Sequence, residues 1–149
     1  MSQEAVVNKQ IQVTGNRSKL RTMVQIAMLS AVSAVLMMFE FPIPFLAPPF
    51  IKMDFSEIPV LVGTFAMGPL AGVVIELLKN ILHFVTYGTT TGGIGELSNF
   101  FIGCAFAVPA GIFYRKRKTR KNAVLGMATG TLLMVIMGCL SNAFVMFLL

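Results

Sequence analysis

The sequence predicts an all-α, polytopic membrane helical bundle, and three observations predict it. Of 149 residues, 56% are apolar and 12% charged, against about 25% charged in an ordinary soluble domain. The apolar residues gather into runs close to the length that crosses a bilayer, about 20 residues. Twelve Lys and Arg against six Asp and Glu give a net charge of +6, but ten of the twelve basic residues lie in two short stretches beside those runs. Lys9, Arg17, Lys19 and Arg21 precede the first run; Arg115, Lys116, Arg117, Lys118, Arg120 and Lys121 separate two later ones. Basic residues placed this way are a topology signal rather than a nucleic-acid surface, and they put both stretches on the cytoplasmic side.

Residues 1–22 read as a cytoplasmic N-terminal segment. They lack the apolar core and the small-residue cleavage site of a secretory signal. Residues 23–149 read as one transmembrane domain. Helix 1 is expected over Met23–Phe39, interrupted only by Gln25, Ser30 and Ser33. Four prolines between Pro42 and Pro49 then forbid a regular helix in a stretch that stays strongly apolar, so this loop is expected to cover something apolar or to dip into the membrane interface. Asp54 and Glu57 have the spacing of a capping box. The run Phe55–Met67 that follows is short for a span, but counting it as one keeps both basic stretches on the same side, so helix 2 is expected as a short span lengthened at its ends. Gly68 and Pro69 suit a joint between two helices. Helix 3 is expected over Pro69–Tyr87, a Gly-rich outer loop over 89–95, helix 4 from about Glu96 to Tyr114, and helix 5 from near Ala123 onward.

Helix 3 carries Glu76, Lys79, Asn80 and His83 at offsets of three, four and seven, which places them on one face. Ionisable groups inside a membrane helix face a bundle interior or a water-filled cavity; the face either lines a solute site or pairs with itself through Glu76 and Lys79. Glu96 and Asn99 open helix 4 one turn apart. Asn142 lies deep in the last run, as helix-to-helix glue or as a ligand contact. Small residues recur at helical spacing: Ala27, Ala31 and Ala34 on helix 1, Gly103, Ala107 and Gly111 on helix 4, Gly126 and Gly130 on helix 5. That spacing lets backbones approach closely. Cys104 and Cys139 read as packing residues. The sequence has no phosphate-binding Gly-Lys-Thr loop, no second His or Cys at metal spacing from His83 and no catalytic trio, so neither an enzyme nor a metal site is expected.

Three stretches together, EFPIPFLAPPFIKMDFSEIP (40–59), GPLAGVVIELLKN (68–80) and TTGGIGELSNF (90–100), resemble the riboflavin-binding S component of energy-coupling factor transporters, over nearly the whole chain from Arg21 on. The resemblance implies a six-helix membrane protein, of which five helices are legible here, that sits in the cell membrane and captures riboflavin or a related flavin from outside. It implies the loop after helix 1 as a lid, with Phe41, Phe45 and Leu46 as candidates, and polar ligand contacts from Asn80, Glu96, Asn99 and Asn142, with Lys79 and Glu76 beside them. It also implies docking on a transmembrane coupling subunit through Ala27, Ala31 and Ala34, with ATP consumed by two ATPase partner chains and no cofactor of its own. Another aromatic vitamin as ligand, a membrane scaffold without a ligand and a basic module acting on anionic lipid are the competing readings.

Overall fold

The computed structural model describes residues 2–42, 52–53, 55–89 and 92–148. Five α-helices follow one another as α1 (Gln3–Met38), α2 (Glu57–Met67), α3 (Pro69–Tyr87), α4 (Ile94–Lys116) and α5 (Arg120–Leu148). Four of them, α1, α3, α4 and α5, are long and apolar enough to cross a membrane. Between α1 and α2, the two-residue strands β1 (Phe41–Pro42) and β2 (Lys52–Met53) pair antiparallel, Phe41 opposite Met53 and Pro42 opposite Lys52. The Pro-rich stretch of sequence between them, with Phe45 and Leu46, lies outside the described residues.

Helices α4 and α5 start two and three residues before their expected positions, and two other elements depart further from the sequence expectation. Helix 1 starts at Gln3 rather than Met23. The polar segment contains no proline, and ten of residues 3–22 are good helix formers, so no breaker stops the helix where hydropathy changes. Helix 2 is not lengthened: it has 11 residues, about 16 Å of rise against a hydrocarbon core of about 30 Å. Its end is set by Gly68, whose φ of 104° turns the chain straight into Pro69 at the first position of α3; a left-handed residue at this joint favours glycine. Asp54 of the expected capping box lies outside the described residues. Ser56 makes no side-chain cap, and Glu57 is used elsewhere.

Helices α2 and α3 form an antiparallel hairpin about Gly68. Residues equally distant from that joint meet: Thr64 lies against Gly72, and Glu57 pairs with Lys79. Helix α1 packs on α2 and α3, α4 packs on α2, α3 and α5, and α5 has α4 as its one helical neighbour among the described residues.

Lipid tails are as apolar as leucine, so burying large side chains drives little helix association here, and close packing must do more. The interior shows this. Ser30, Ser33, Ala34, Gly63, Thr64, Ala71, Gly72, Gly103, Ala107, Ala110 and Gly111 are buried. Val60, Ile75 and Ala107 form the apolar centre, with Ile26, Leu29 and Met67 packed against it. A side chain at Gly111 would strike Thr64 and Pro69, and one at Gly130 would strike Phe106. The small residues noted on α4 and at the start of α5 are thus internal packing sites where α4 meets its neighbours.

Candidate functional site

The level at which α2 begins sets the site. Because Glu57 pairs with Lys79, the first turn of α2 stands beside the middle of α3, and α2 covers only one half of the bundle's depth. In the other half, the faces of α1, α3 and α4 are left without α2 between them. The polar side chains of α3 and α4 converge at that boundary.

Lys79 is fully buried, and its Nζ lies 2.8 Å from Glu57 Oε1, 2.8 Å from Glu76 Oε1 and 3.2 Å from Ser56 Oγ. The Ser56 carbonyl accepts a hydrogen bond from Ser33 on α1, which ties a third helix to the cluster. Glu76 is also fully buried, and Glu57 is 18% exposed. One ammonium therefore serves two carboxylates, and an oxygen on each, Glu57 Oε2 and Glu76 Oε2, has no hydrogen-bond partner among the described residues. Such groups are retained in a low-dielectric interior only when paired. The carboxylate of Glu76 fits because α4 presents a glycine to it: a side chain at Gly103 would overlap that group.

From Glu76 the hydrogen bonds run on toward α4. Asn80 Nδ2 donates to the Glu76 carbonyl oxygen at 2.8 Å and to Glu76 Oε1 at 3.0 Å. Asn99 Nδ2 donates to Asn80 Oδ1 at 3.1 Å, with Met37 Sδ of α1 at 3.9 Å. One helical turn before Asn99, Glu96 Oε2 accepts from Thr89 Oγ1 at 3.3 Å, and Thr89 accepts from the Gly93 amide at 2.7 Å. His83 is half-buried and stacks on Tyr87, ring centroids 5.4 Å apart, with its Nδ1 buried and unpartnered.

The structure thus brings Glu76, Lys79, Asn80 and Asn99 into one network and holds Glu96 beside its open end. The self-pairing of Glu76 with Lys79 is present, and it is shared with Glu57, which the sequence places only as a first-turn acid. Glu57, Ser56 and Ser33 are the residues sequence reasoning missed. The usable signal was an ionisable group at an apolar helix start, but its partner lies 22 residues away. Asn142 is half-buried on α5, a helix that among the described residues meets α4 alone and does not join the network. Phe41 is exposed. Of the small residues on α1, Ala27 and Ala31 are exposed while Ala34 turns into the bundle. Residues 23–37 of α1 thus carry a buried face toward α2 and α3 and an alanine-bearing flank beside it. No group of His, Cys, Asp and Glu that could hold a metal ion occurs among the described residues.

A family model described as "ECF transporter, substrate-specific component" matches residues 21–149. The chain belongs to this family. Among relatives of this S component, the riboflavin transporter FmnP of Bacillus subtilis is 34% identical over 125 residues, covering 83% of this chain and 65% of that protein. The riboflavin transporter RibU of Staphylococcus aureus is 35% identical over 131 residues, covering 88% and 68%. The chain thus spans about two thirds of the length of these relatives. A solved structure described as "Structure and mechanism of the S component of a bacterial ECF transporter" superposes with a TM-score of 0.78 at 35% identity, covering 87% of this chain and 75% of that one. The S component fold, a helical bundle crossing the membrane several times, is therefore the fold of this chain.

Proposed function

We propose that this S component captures riboflavin at the outer side of the cell membrane and delivers it inward by working with a transmembrane coupling subunit and two ATPase chains that consume the ATP. The observation that carries the reading is the Asn80–Asn99 pair standing at the level where α2 begins, beside the half of the bundle's depth that α2 does not cover. A flavin needs hydrogen-bonding groups for its ring edge and ribityl hydroxyls together with an apolar wall for its ring, and the faces of α1, α3 and α4 supply both. The names of the relatives supply the ligand class. Residues 1–22 and 115–121 are placed on the cytoplasmic side, so that the outer half holds Glu96, Asn99 and the loop with Phe41, Phe45 and Leu46, the lid of this reading. Asn99 and Glu96 are the leading ligand contacts, Asn142 a further one from α5. Lys79 and Glu76 form the floor, and Ala27 and Ala31 contribute the exposed part of a coupling-subunit contact that ends at Ala34.

Quenching of riboflavin fluorescence by the purified full-length protein tests this. Saturable quenching in the nanomolar to micromolar range, undiminished by excess thiamine or biotin, is the expected result; Asn99→Ala weakens it about tenfold, the worth of one hydrogen bond. No quenching, or displacement by thiamine, overturns the assignment of riboflavin.

A further inference from the structure

The hydrogen-bond chain ending at Asn99 has a fixed polarity. Glu76 offers Asn80 two acceptors, its backbone carbonyl and its carboxylate Oε1. A carbonyl oxygen of Asn80 has nothing to gain between two other oxygens, so the atom there is the amide nitrogen however the carboxamide is first assigned. The Asn80 oxygen is thereby turned toward Asn99, and only a nitrogen can meet it, as Asn99 Nδ2 does. The second hydrogen of that nitrogen faces Met37 Sδ, a weak acceptor. Both donor hydrogens of Asn99 are engaged inside the bundle. Its oxygen receives no hydrogen bond among the described residues, and it is not one of the sealed, unpartnered atoms.

We propose that Asn99 meets the ligand as a hydrogen-bond acceptor only, and that Asn80 is a positioning residue that sets this polarity without touching the ligand. The inference rests on the riboflavin reading above and replaces the expectation of a direct contact from Asn80. It requires a ligand group that donates. Riboflavin has two kinds, the imide N–H of its ring and the hydroxyls of its ribityl chain. Lys79 and Glu57 act one step further back, by holding the Glu76 carboxylate at the head of the chain.

Dissociation constants of the full-length protein for three flavins test the assignment: riboflavin, N3-methylriboflavin, which lacks the imide donor, and lumiflavin, which keeps the imide and lacks the ribityl hydroxyls. If Asn99 accepts from the imide, Asn80→Ala and Asn99→Ala each weaken riboflavin and lumiflavin about tenfold and leave N3-methylriboflavin within about twofold of its wild-type value. If it accepts from a ribityl hydroxyl, riboflavin and N3-methylriboflavin weaken and lumiflavin does not. In either case the double variant is no weaker than Asn99→Ala alone, because both changes break one contact. Equal weakening of all three flavins by Asn80→Ala gives that residue a purely structural role and overturns the proposal, as does a variant at either position that binds all three like wild type. Asn99→Ala alone keeps the test decisive if Asn80→Ala fails to insert. A wild-type protein that does not bind riboflavin overturns the functional reading instead, so the two failures are distinct.

Discussion

Lys79 holds together groups from two helices that would otherwise repel. Its ammonium lies 2.8 Å from each of two carboxylates, with no exposed surface of its own. Removing one partner of a buried ion pair is far more damaging than replacing the whole set, because the remaining charges have neither water nor counterion; the loss is about 3–5 kcal/mol. Lys79→Met is therefore expected to lower the melting temperature of the detergent-solubilised protein strongly, whereas Glu76→Gln, which removes the surplus negative charge and keeps an acceptor toward Lys79 and Asn80, is expected to change it little. A melting temperature unchanged in Lys79→Met would show that the carboxylates do not depend on it. At this scale the sequence was legible in part. The offsets of three and four from Glu76 put Lys79 and Asn80 on one face, and the structure uses that face. Glu57 was not legible, because a first-turn acid after a serine looks like a local cap; its actual partner is set by the hairpin at Gly68, which brings together residues far apart in the chain. Nor was the polarity of Asn80 legible, since it depends on acceptors supplied by the preceding helical turn and on the packing of α4.

Among the elements, helix 3 coincides with its sequence expectation, Pro69–Tyr87, because Pro at its first position and Gly88 after its last leave little choice. Helix 2 does not, because charge parity fixes the direction of a segment and says nothing of its helical length. Helix α2 has 11 residues and is preceded by extended backbone at Lys52–Met53. The lengthening expected at its ends is therefore absent from the helix itself. The small-residue spacing of α4 and α5 was legible as close packing, and its partners can now be assigned. A side chain at Gly126 would meet Ala110 and Phe113, and one at Gly130 would meet Phe106, whereas Gly138, further along α5, has nothing within 4 Å. Overpacking of a tight contact costs about 1–3 kcal/mol. Gly130→Leu is accordingly expected to loosen α5 from α4, read as faster proteolysis within residues 117–119 and a lower melting temperature, while Gly138→Leu behaves as wild type. If the two variants behave alike, α5 is not held by the Gly130 contact. Since α4 is its one helical neighbour among the described residues, that contact carries much of what positions Asn142.

For the whole molecule, orientation follows from where charge would have to cross. Six of the seven residues from Arg115 to Lys121 are basic, and they join α4 to α5 at one end of the bundle. At the other end, the described residues between α3 and α4 are uncharged. Loops rich in Lys and Arg stay on the cytoplasmic side. Helix α1 extends this logic beyond the sequence expectation: because it is continuous from Gln3, Lys9, Arg17, Lys19 and Arg21 lie along a helical projection from the span, about 30 Å long over its first 20 residues, and not in a loose tail. With α2 counted as a passage of the chain, four passages separate these residues from Arg115, and on that count both basic ends are expected on one side. Single cysteines in a background with Cys104 and Cys139 replaced by serine give the check. In intact cells a membrane-impermeant maleimide is expected to label Ile94→Cys, at the start of α4, and to reach Lys118→Cys only after permeabilisation. Labelling of Lys118→Cys from outside would invert the molecule, placing the Asn80–Asn99 network toward the cytoplasm and leaving capture from the exterior without a site. The orientation and the proposed capture therefore stand or fall together, since the open half of the bundle and the basic ends lie on opposite sides of α2.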